Sequence, residues 1–346
     1  MVRLTRVQQQ ARTRASVLTA AREEFADHGY AAAKVDRIAE RAELTRGAVY
    51  SNFPGKRALY LAVLIDLVEQ GRPAEPAPAS TADALAAFAR TWLERLPLVG
   101  DSAAGGRLQL RSLDGVVDGP VPAQVARLEA LLLATALERR DPARQVRLAD
   151  LVLTLLDGAG HRAATAPGAG DPFDVAHACR HLAGIDLADT WSPPHLPFVA
   201  AARTCADAWT PPEDLVDEIS GTEVTPADGV VVVLGASRLG AAEEAVRSAG
   251  PGERVMIAAV TDDPAETGRL VRLRVTDLMA CLRRVFPPGT WEGLRLVLDD
   301  DGLVASAIGV ADPGDETEAA VRVRDGVIVA RAAGRGAGHA AGKVAS

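Results

Sequence analysis

Cysteine is scarce: Cys179, Cys205 and Cys281 are the full complement of this 346-residue chain. An odd number of widely spaced thiols, with no CxxC pair, excludes a disulfide scaffold and a zinc knuckle and fits a reducing cytoplasm. No stretch approaches the ~20 unbroken apolar residues that a membrane-spanning helix requires. The basic start, MVRLTRVQQQARTR, has no apolar run behind it and so does not read as a secretory signal. Aromatic residues make up only 4% of the chain, and lysine is nearly absent, with 3 against 35 arginines. Together with abundant alanine, that skew reports a GC-rich genome. Arginine content is therefore uninformative, and only its placement carries meaning.

Hydrophobic residues, at 48%, suffice for real cores, and the length suggests two or three domains. The charge is uneven. Residues 1–70 carry 11 basic and 8 acidic side chains, a net of +3, whereas the rest carries a net of −11. Arg3, Arg6, Arg12 and Arg14 fall in the first 14 residues without one acid between them. A basic head on an acidic body points to a polyanion at one end.

Two breaks divide the chain, GRPAEPAPAS (71–80) and TPPEDLVDEISGTEVTPADG (210–229). Before the first, four helices are predicted. Val17, Leu18, Ala21 and Phe25 give one that Gly29 ends; Val35, Ile38, Ala39 and Ala42 give a second; Thr45 caps a third reaching Asn52 or Phe53. Pro54-Gly55 separates it from a fourth, carried by Leu59, Ala62, Leu64 and Val68. Residues 80–210 are predicted all-helical. Ser80 caps a run of Leu85, Phe88, Trp92 and Leu96, and Gln124–Arg140 forms another helix. Asp141-Pro142 and Asp171-Pro172 each place a capping acid before a first-turn proline, introducing Val146–Leu156 and Phe173–Leu187. After the second break the period changes to strands, with helices at 240–249 and 276–285 and hairpin turns at Asp301-Gly302 and Asp325-Gly326. The Gly/Ala-rich end from 333, and 337–346 in particular, is expected to be disordered.

The stretch VDRIAERAELTRGAVYSNF (35–53) has helix-turn-helix spacing, with the second short helix suited to the major groove. Gly47 and Ala48 permit close approach to base edges. Arg46, on the first turn, can reach guanine O6 and N7, and Thr45 and Tyr50 offer hydroxyls. Lys56 begins the next helix, where its ammonium and free backbone N–H groups suit a phosphate. Residues 13–68 resemble the DNA-binding domain of the TetR family of bacterial repressors through AAxxxFAxxGY, IAxxA and GAVYxxFxxKxxLY. The resemblance implies DNA contacts at Thr45, Arg46, Gly47, Ala48, Tyr50, Asn52 and Lys56. It also implies a homodimer reading palindromic operators, with residues 80–210 as the effector-binding and dimerisation domain; within that domain, helices near 142–158 and 172–187 are expected to form most of the interface. Two positions depart from the family: Glu43 stands where glycine is usual, and Ala33-Lys34 where a capping Ser or Thr is common.

Phe88, Trp92, Phe173, His177, Trp191 and Phe198 are candidates for an effector pocket, although core packing explains such aromatics equally well. Asp174, His177 and His181 share helical spacing, but no further ligand is indicated and no metal is expected. GASRLG (235–240) with Asp262 has the outline of a dinucleotide loop but lacks its third glycine. VMIAAVTDDPAETG, LRLVLDDDGLVASAIGV and AAVRVRDGVIVARAAG resemble the thioredoxin-like superfamily in its peroxiredoxin-type branch, over residues 226–336. That resemblance lacks its reactive thiol, because no cysteine lies between Gly229 and Gly250. The expected protein is thus multidomain: a head at 1–72, an all-α body at 80–210 and an α/β thioredoxin-like domain. No cofactor and no catalytic residue are expected, and the partners are operator DNA, a second copy and a small-molecule effector. The competing reading is a redox-responsive regulator or enzyme using Cys281.

Overall fold

The computed structural model describes residues 6–69, 78–94, 119–166, 168–225, 227–250 and 252–344. Arg3, Leu96 and residues 71–77 of the first break lie outside them. The head contains α1 (Arg6–Ala32), α2 (Val35–Arg41), α3 (Arg46–Asn52) and α4 (Lys56–Glu69). Gly29 interrupts α1 with φ 68°, a left-handed conformation that glycine adopts without a Cβ penalty. Lys34 has no side chain able to cap α2. Instead, the fully buried carboxylate of Glu24 accepts the Lys34 N–H at 3.1 Å, so α1 supplies the cap from ten residues away.

The body contains α5 (Thr81–Leu93), α6 (Val121–Glu138), α7 (Val146–Thr165) and α8 (Pro172–Leu182). Ser80 and Asp171 cap α5 and α8 as their side chains predict, accepting from the Asp83 and Phe173 N–H groups. Asp141-Pro142 does not open α7. The Asp141 carboxylate is occupied by the Ala143 N–H and the Gln145 amide, making a turn, and the helix begins four residues beyond Pro142. The fourth body helix stops at Leu182, short of the predicted Leu187.

The third segment starts earlier than the sequence boundary. A strand, β1 (Arg203–Ala208), lies inside the stretch expected to be helical and belongs to the C-terminal sheet. It is short and mostly exposed, as an edge strand can be, so neither an apolar run nor a clean alternation announces it. It is followed by β2 (Val216–Asp217), β3 (Thr222–Glu223), β4 (Gly229–Gly235), α9 (Ala242–Ser248), β5 (Arg254–Val260), α10 (Arg269–Val285), β6 (Leu294–Leu298), α11 (Leu303–Ala307), β7 (Glu318–Arg324), β8 (Val327–Ala333) and α12 (Ala337–Gly342). β2 and β3 pair with each other. The other six form one mixed sheet in the order β1-β8-β7-β4-β5-β6, in which β4, β5 and β6 are parallel and β7, β8 and β1 antiparallel.

The central strand β4 is buried throughout, which accounts for its unbroken valine run: both faces are covered. Val231 and Val233 face a small core with Val304 and Ala305 of α11 and Ile308 just beyond it, while Val230, Val232 and Leu234 face a much larger one. That larger core is continuous from Phe25 and Phe53 in the head, through Trp92 and Leu132 in the body, to Leu273 in α10. The C-terminal domain is therefore built into the molecule and not tethered beside it.

Asp325-Gly326 makes the predicted hairpin between β7 and β8. Asp301-Gly302 does not: Gly302, with φ 65°, starts α11, and the Asp299 carboxylate accepts the Val304 and Ala305 N–H groups at its N-terminus. Nor is the Gly/Ala-rich end disordered at 337–342. It forms α12, packed on α9, because small residues let two backbones approach closely. A Cβ at Gly338 would lie 3.0 Å from that of Ala245, and one at Gly342 would lie 2.7 Å from that of Ser248. Among the described residues, no helix is long and apolar enough to cross a membrane.

Candidate nucleic-acid interface

The turn joining α2 and α3 is closed by backbone bonds from Glu43 to Glu40 and from Leu44 to Ala39. Glu43 takes the left-handed conformation, φ 56°, at the position where glycine is usual, which costs about 1 kcal/mol for a residue with a Cβ. The turn geometry is thus kept and the strain accepted. Arg41 braces the pair from behind, its guanidinium meeting Asp27 at 2.7 Å and Glu24 at 3.4 Å on α1.

Thr45 caps α3 by accepting the Ala48 N–H at 3.2 Å, which leaves its hydroxyl proton free to donate outward. Val49 and Phe53 are buried and fix the helix to the head. Arg46, Gly47, Tyr50 and Ser51 then share the outward face, all exposed. Arg46 does not dangle. Its guanidinium lies 3.2 Å from the Asp36 carboxylate on α2 and 3.5 Å from the Tyr50 hydroxyl. Those neighbours, the Tyr50 hydrogen bond first, raise its pKa further, so it is a permanent cation held above the face. A Cβ added to Gly47 would meet nothing but the Thr45 hydroxyl oxygen, at 3.9 Å, so the surface beside Arg46 is open.

Ala48 is half-buried, and Asn52 is turned inward, its amide donating to the Ala48 carbonyl at 2.9 Å. Lys56 is turned inward as well. Its ammonium donates to the Ala31 carbonyl at 3.1 Å and sits 4.9 Å from the Tyr30 ring centre. Burial pulls its pKa down, against the attraction of Glu24. Ser51 was not singled out from the sequence. Its only signal there is helical spacing from Arg46 and Gly47.

The effector-pocket candidates do not share one cavity. Phe88 and Trp92 are buried in the body core. Phe173, 76% exposed, and His177 line an open groove of about 380 Å³ with Arg90 and Arg180, while Trp191 lies 6.2 Å from the His339 ring of α12. Phe198 is also exposed, on the segment leading to the sheet. His177 and His181 approach each other with ring nitrogens 3.0 Å apart, and among the described residues no three ligand-type side chains gather to hold a metal ion.

Packing accounts for the glycines of GASRLG. A Cβ on Gly235 would lie 2.1 Å from the Asp315 carbonyl, and Gly240 sits against Arg127 and Gln124 of α6, donating its N–H to Gln124 at 2.9 Å. The Asp262 carboxylate accepts the Asp315 N–H. Cys281 is buried in α10, facing the shared core.

Comparison with known proteins agrees with the geometry of the head. Residues 17–63 match the family model of bacterial regulatory proteins, tetR family. A 51-residue stretch is 49% identical to the HTH-type transcriptional activator FasR of Mycolicibacterium smegmatis. That stretch is 15% of this chain and 23% of that protein, so the chain matches less than a quarter of its relative's length. Among solved structures, a TetR transcriptional regulator from Rhodococcus sp. RHA1 aligns with TM-score 0.33 and 18% identity, over 50% of this chain and 94% of that one. A TetR-family transcriptional regulator from Pectobacterium atrosepticum aligns with TM-score 0.33 and 24% identity, over 52% and 93%. The matched family segment lies within the head and runs from the middle of α1, through α2 and α3, into α4.

Proposed function

We propose that this chain is a one-component transcriptional regulator whose head binds operator DNA and whose remainder responds to a ligand. The observation that carries the reading is the outward face of α3, with a fixed cation at Arg46 beside the open surface of Gly47, within the segment that matches the tetR-family model. A recognition helix of about two turns reads too few bases to be selective alone, so the protein acts as a homodimer on a palindrome. The half-buried Leu151 and Leu155 of α7 and the exposed Phe173 and Ala178 of α8 are the surface offered for pairing. A ligand then acts by binding one spacing of the two heads better than the other, and its leverage equals that difference in affinity. Footprinting of the purified protein across its genome tests this directly. Protected palindromes with half-sites about one helical turn apart are expected, and protection that ignores sequence would remove the assignment.

The C-terminal domain is read as a thioredoxin-like fold without its chemistry. Parallel strands at the centre followed by a closing antiparallel hairpin support that reading, and β4 runs into GASRLG with no thiol. The redox alternative needs Cys281, which is 2% exposed. Thiol exchange requires an accessible thiolate. Burial pushes the Cys179 thiol up to about 11, so it stays protonated at neutral pH. Cys205 is half-exposed, its Sγ 3.3 Å from the Ile328 carbonyl. Maleimide labelling of the folded protein at neutral pH is therefore expected to modify Cys205 first and to leave Cys179 and Cys281 unlabelled for far longer. Rapid labelling of Cys281, together with peroxide consumption that Cys281→Ser abolishes, would restore the redox reading.

A further inference from the structure

The C-terminal domain touches the head itself. α10 packs along α4, the Arg57 guanidinium of α4 meets Glu266 at 2.9 Å, and Arg269 donates to the Ala58 carbonyl at 3.3 Å. Between the two surfaces lies a cavity of about 610 Å³, within the range of small-molecule sites. The head contributes Arg14, Leu18, Ile65 and Asp66; the C-terminal domain contributes Pro264, Arg269, Arg272 and Asp300.

Its charge leans positive, with Arg14, Arg269 and Arg272 set against two carboxylates, Asp66 and Asp300. Three guanidiniums reach one opening. Arg272 is paired with Glu218 and lies 3.5 Å from Asp300. For Arg14, no carboxylate among the described residues lies within ion-pair distance. The Arg14 and Arg269 guanidiniums sit 4.5 and 5.5 Å from the centre of one ring, that of Phe53. Burial, and then the charge of Arg14, lower the pKa of Arg269; Asp300 and Asp263 oppose the shift, and Arg272 adds to the repulsion. Gathering like charges around a half-sheltered space is costly unless an anion offsets it. Guanidiniums match the oxygens of phosphate and carboxylate in paired N–H···O geometry. Leu18, Ile65 and Pro264 give the same cavity an apolar wall.

We propose that this junction is a binding site for a small organic oxyanion, a phosphate or carboxylate bearing a short apolar body, and that its occupant clamps the C-terminal domain onto the head. Phe53 directly follows α3 and its ring touches two of the guanidiniums, so the clamp acts one residue from the DNA-facing helix. The site is separate from the groove at Phe173 and His177, and oxyanion binding here does not depend on which DNA the head reads.

The test uses the full-length protein and octyl phosphate, followed by calorimetry and by hydrogen exchange. One octyl phosphate per chain is expected, with octanoate bound by the same site, inorganic phosphate more weakly for want of the apolar wall, and octylamine not at all. Octyl phosphate should slow amide exchange across residues 53–66. Arg14→Ala and Arg272→Ala should each weaken binding by about tenfold or more. Arg14 guards against a folding artefact, because it makes no ion pair across the junction among the described residues, and Ala265→Trp should block the cavity from the other side. Absence of octyl phosphate binding, or equal binding by wild type and all three variants, would overturn the proposal. An equal loss of affinity for a random-sequence duplex in Arg272→Ala would also overturn it, assigning the guanidiniums to the DNA backbone.

Discussion

Replacing Arg46 with alanine is expected to weaken binding to the specific operator roughly ten- to a hundredfold while leaving non-specific binding nearly intact. A guanidinium that reads guanine through two parallel hydrogen bonds loses both on truncation, and selectivity at that base falls with them. The structure sharpens the expectation. Asp36 and Tyr50 hold Arg46 in place, so little side-chain freedom remains to be lost on docking. Lys56→Ala should behave differently, weakening all sequences alike and reducing the salt slope by about one unit. Gel shifts of both variants over a salt series separate the two roles. Unchanged operator selectivity in Arg46→Ala would remove α3 as the reading helix. An unchanged salt slope in Lys56→Ala would leave Lys56 as an internal brace between α1 and α4, the position its bond to Ala31 gives it.

Arg274→Ala is expected to cost about 3–5 kcal/mol of stability, because it takes two charge-assisted hydrogen bonds away from a carboxylate in the core. Arg274 on α10 and Glu129 on α6 meet in two hydrogen bonds, of 3.0 and 2.6 Å, and Glu129 is 1% exposed. Burial works against the charge of Arg274, yet Glu129 beside it holds its pKa above the ordinary arginine value. Removing both charges together, as Arg274→Met with Glu129→Leu, should cost far less, since neither charge then remains in the core. Thermal unfolding of the two variants gives the comparison. A mild effect for Arg274→Ala alone would mean that water or the remaining neighbours of Glu129 carry its charge. The same pair explains why cutting the chain near Pro211 should not release a well-behaved two-domain protein. Such a cut takes α10 away from the apolar faces of α4, α5 and α6.

Local chemistry made the head legible from its sequence. Thr45 as a cap, Gly29 at the break in α1, Pro54-Gly55 between helices and the apolar spacing of Val35, Ile38 and Val49 each act within a few residues. So do Ser80 and Asp171, and so does the Asp325-Gly326 hairpin, where the turn residues alone set the reversal. The β-branched run of β4 likewise marks a strand by its own residues. Where a residue's role depends on a distant partner, the local pattern pointed elsewhere. Arg203–Ala208 becomes a strand because β8 offers it an edge, and the glycines of α12 are explained only by α9. Lys34 lacks a cap in sequence and gains one from Glu24. The docking of Glu266 and Arg269 against α4, across more than two hundred residues, has no counterpart in any periodicity. The helix proposed to face DNA is therefore written locally, in residues 35–53. Which other part of the molecule is placed to push on that helix was decided by the shared core that carries α10 to the head.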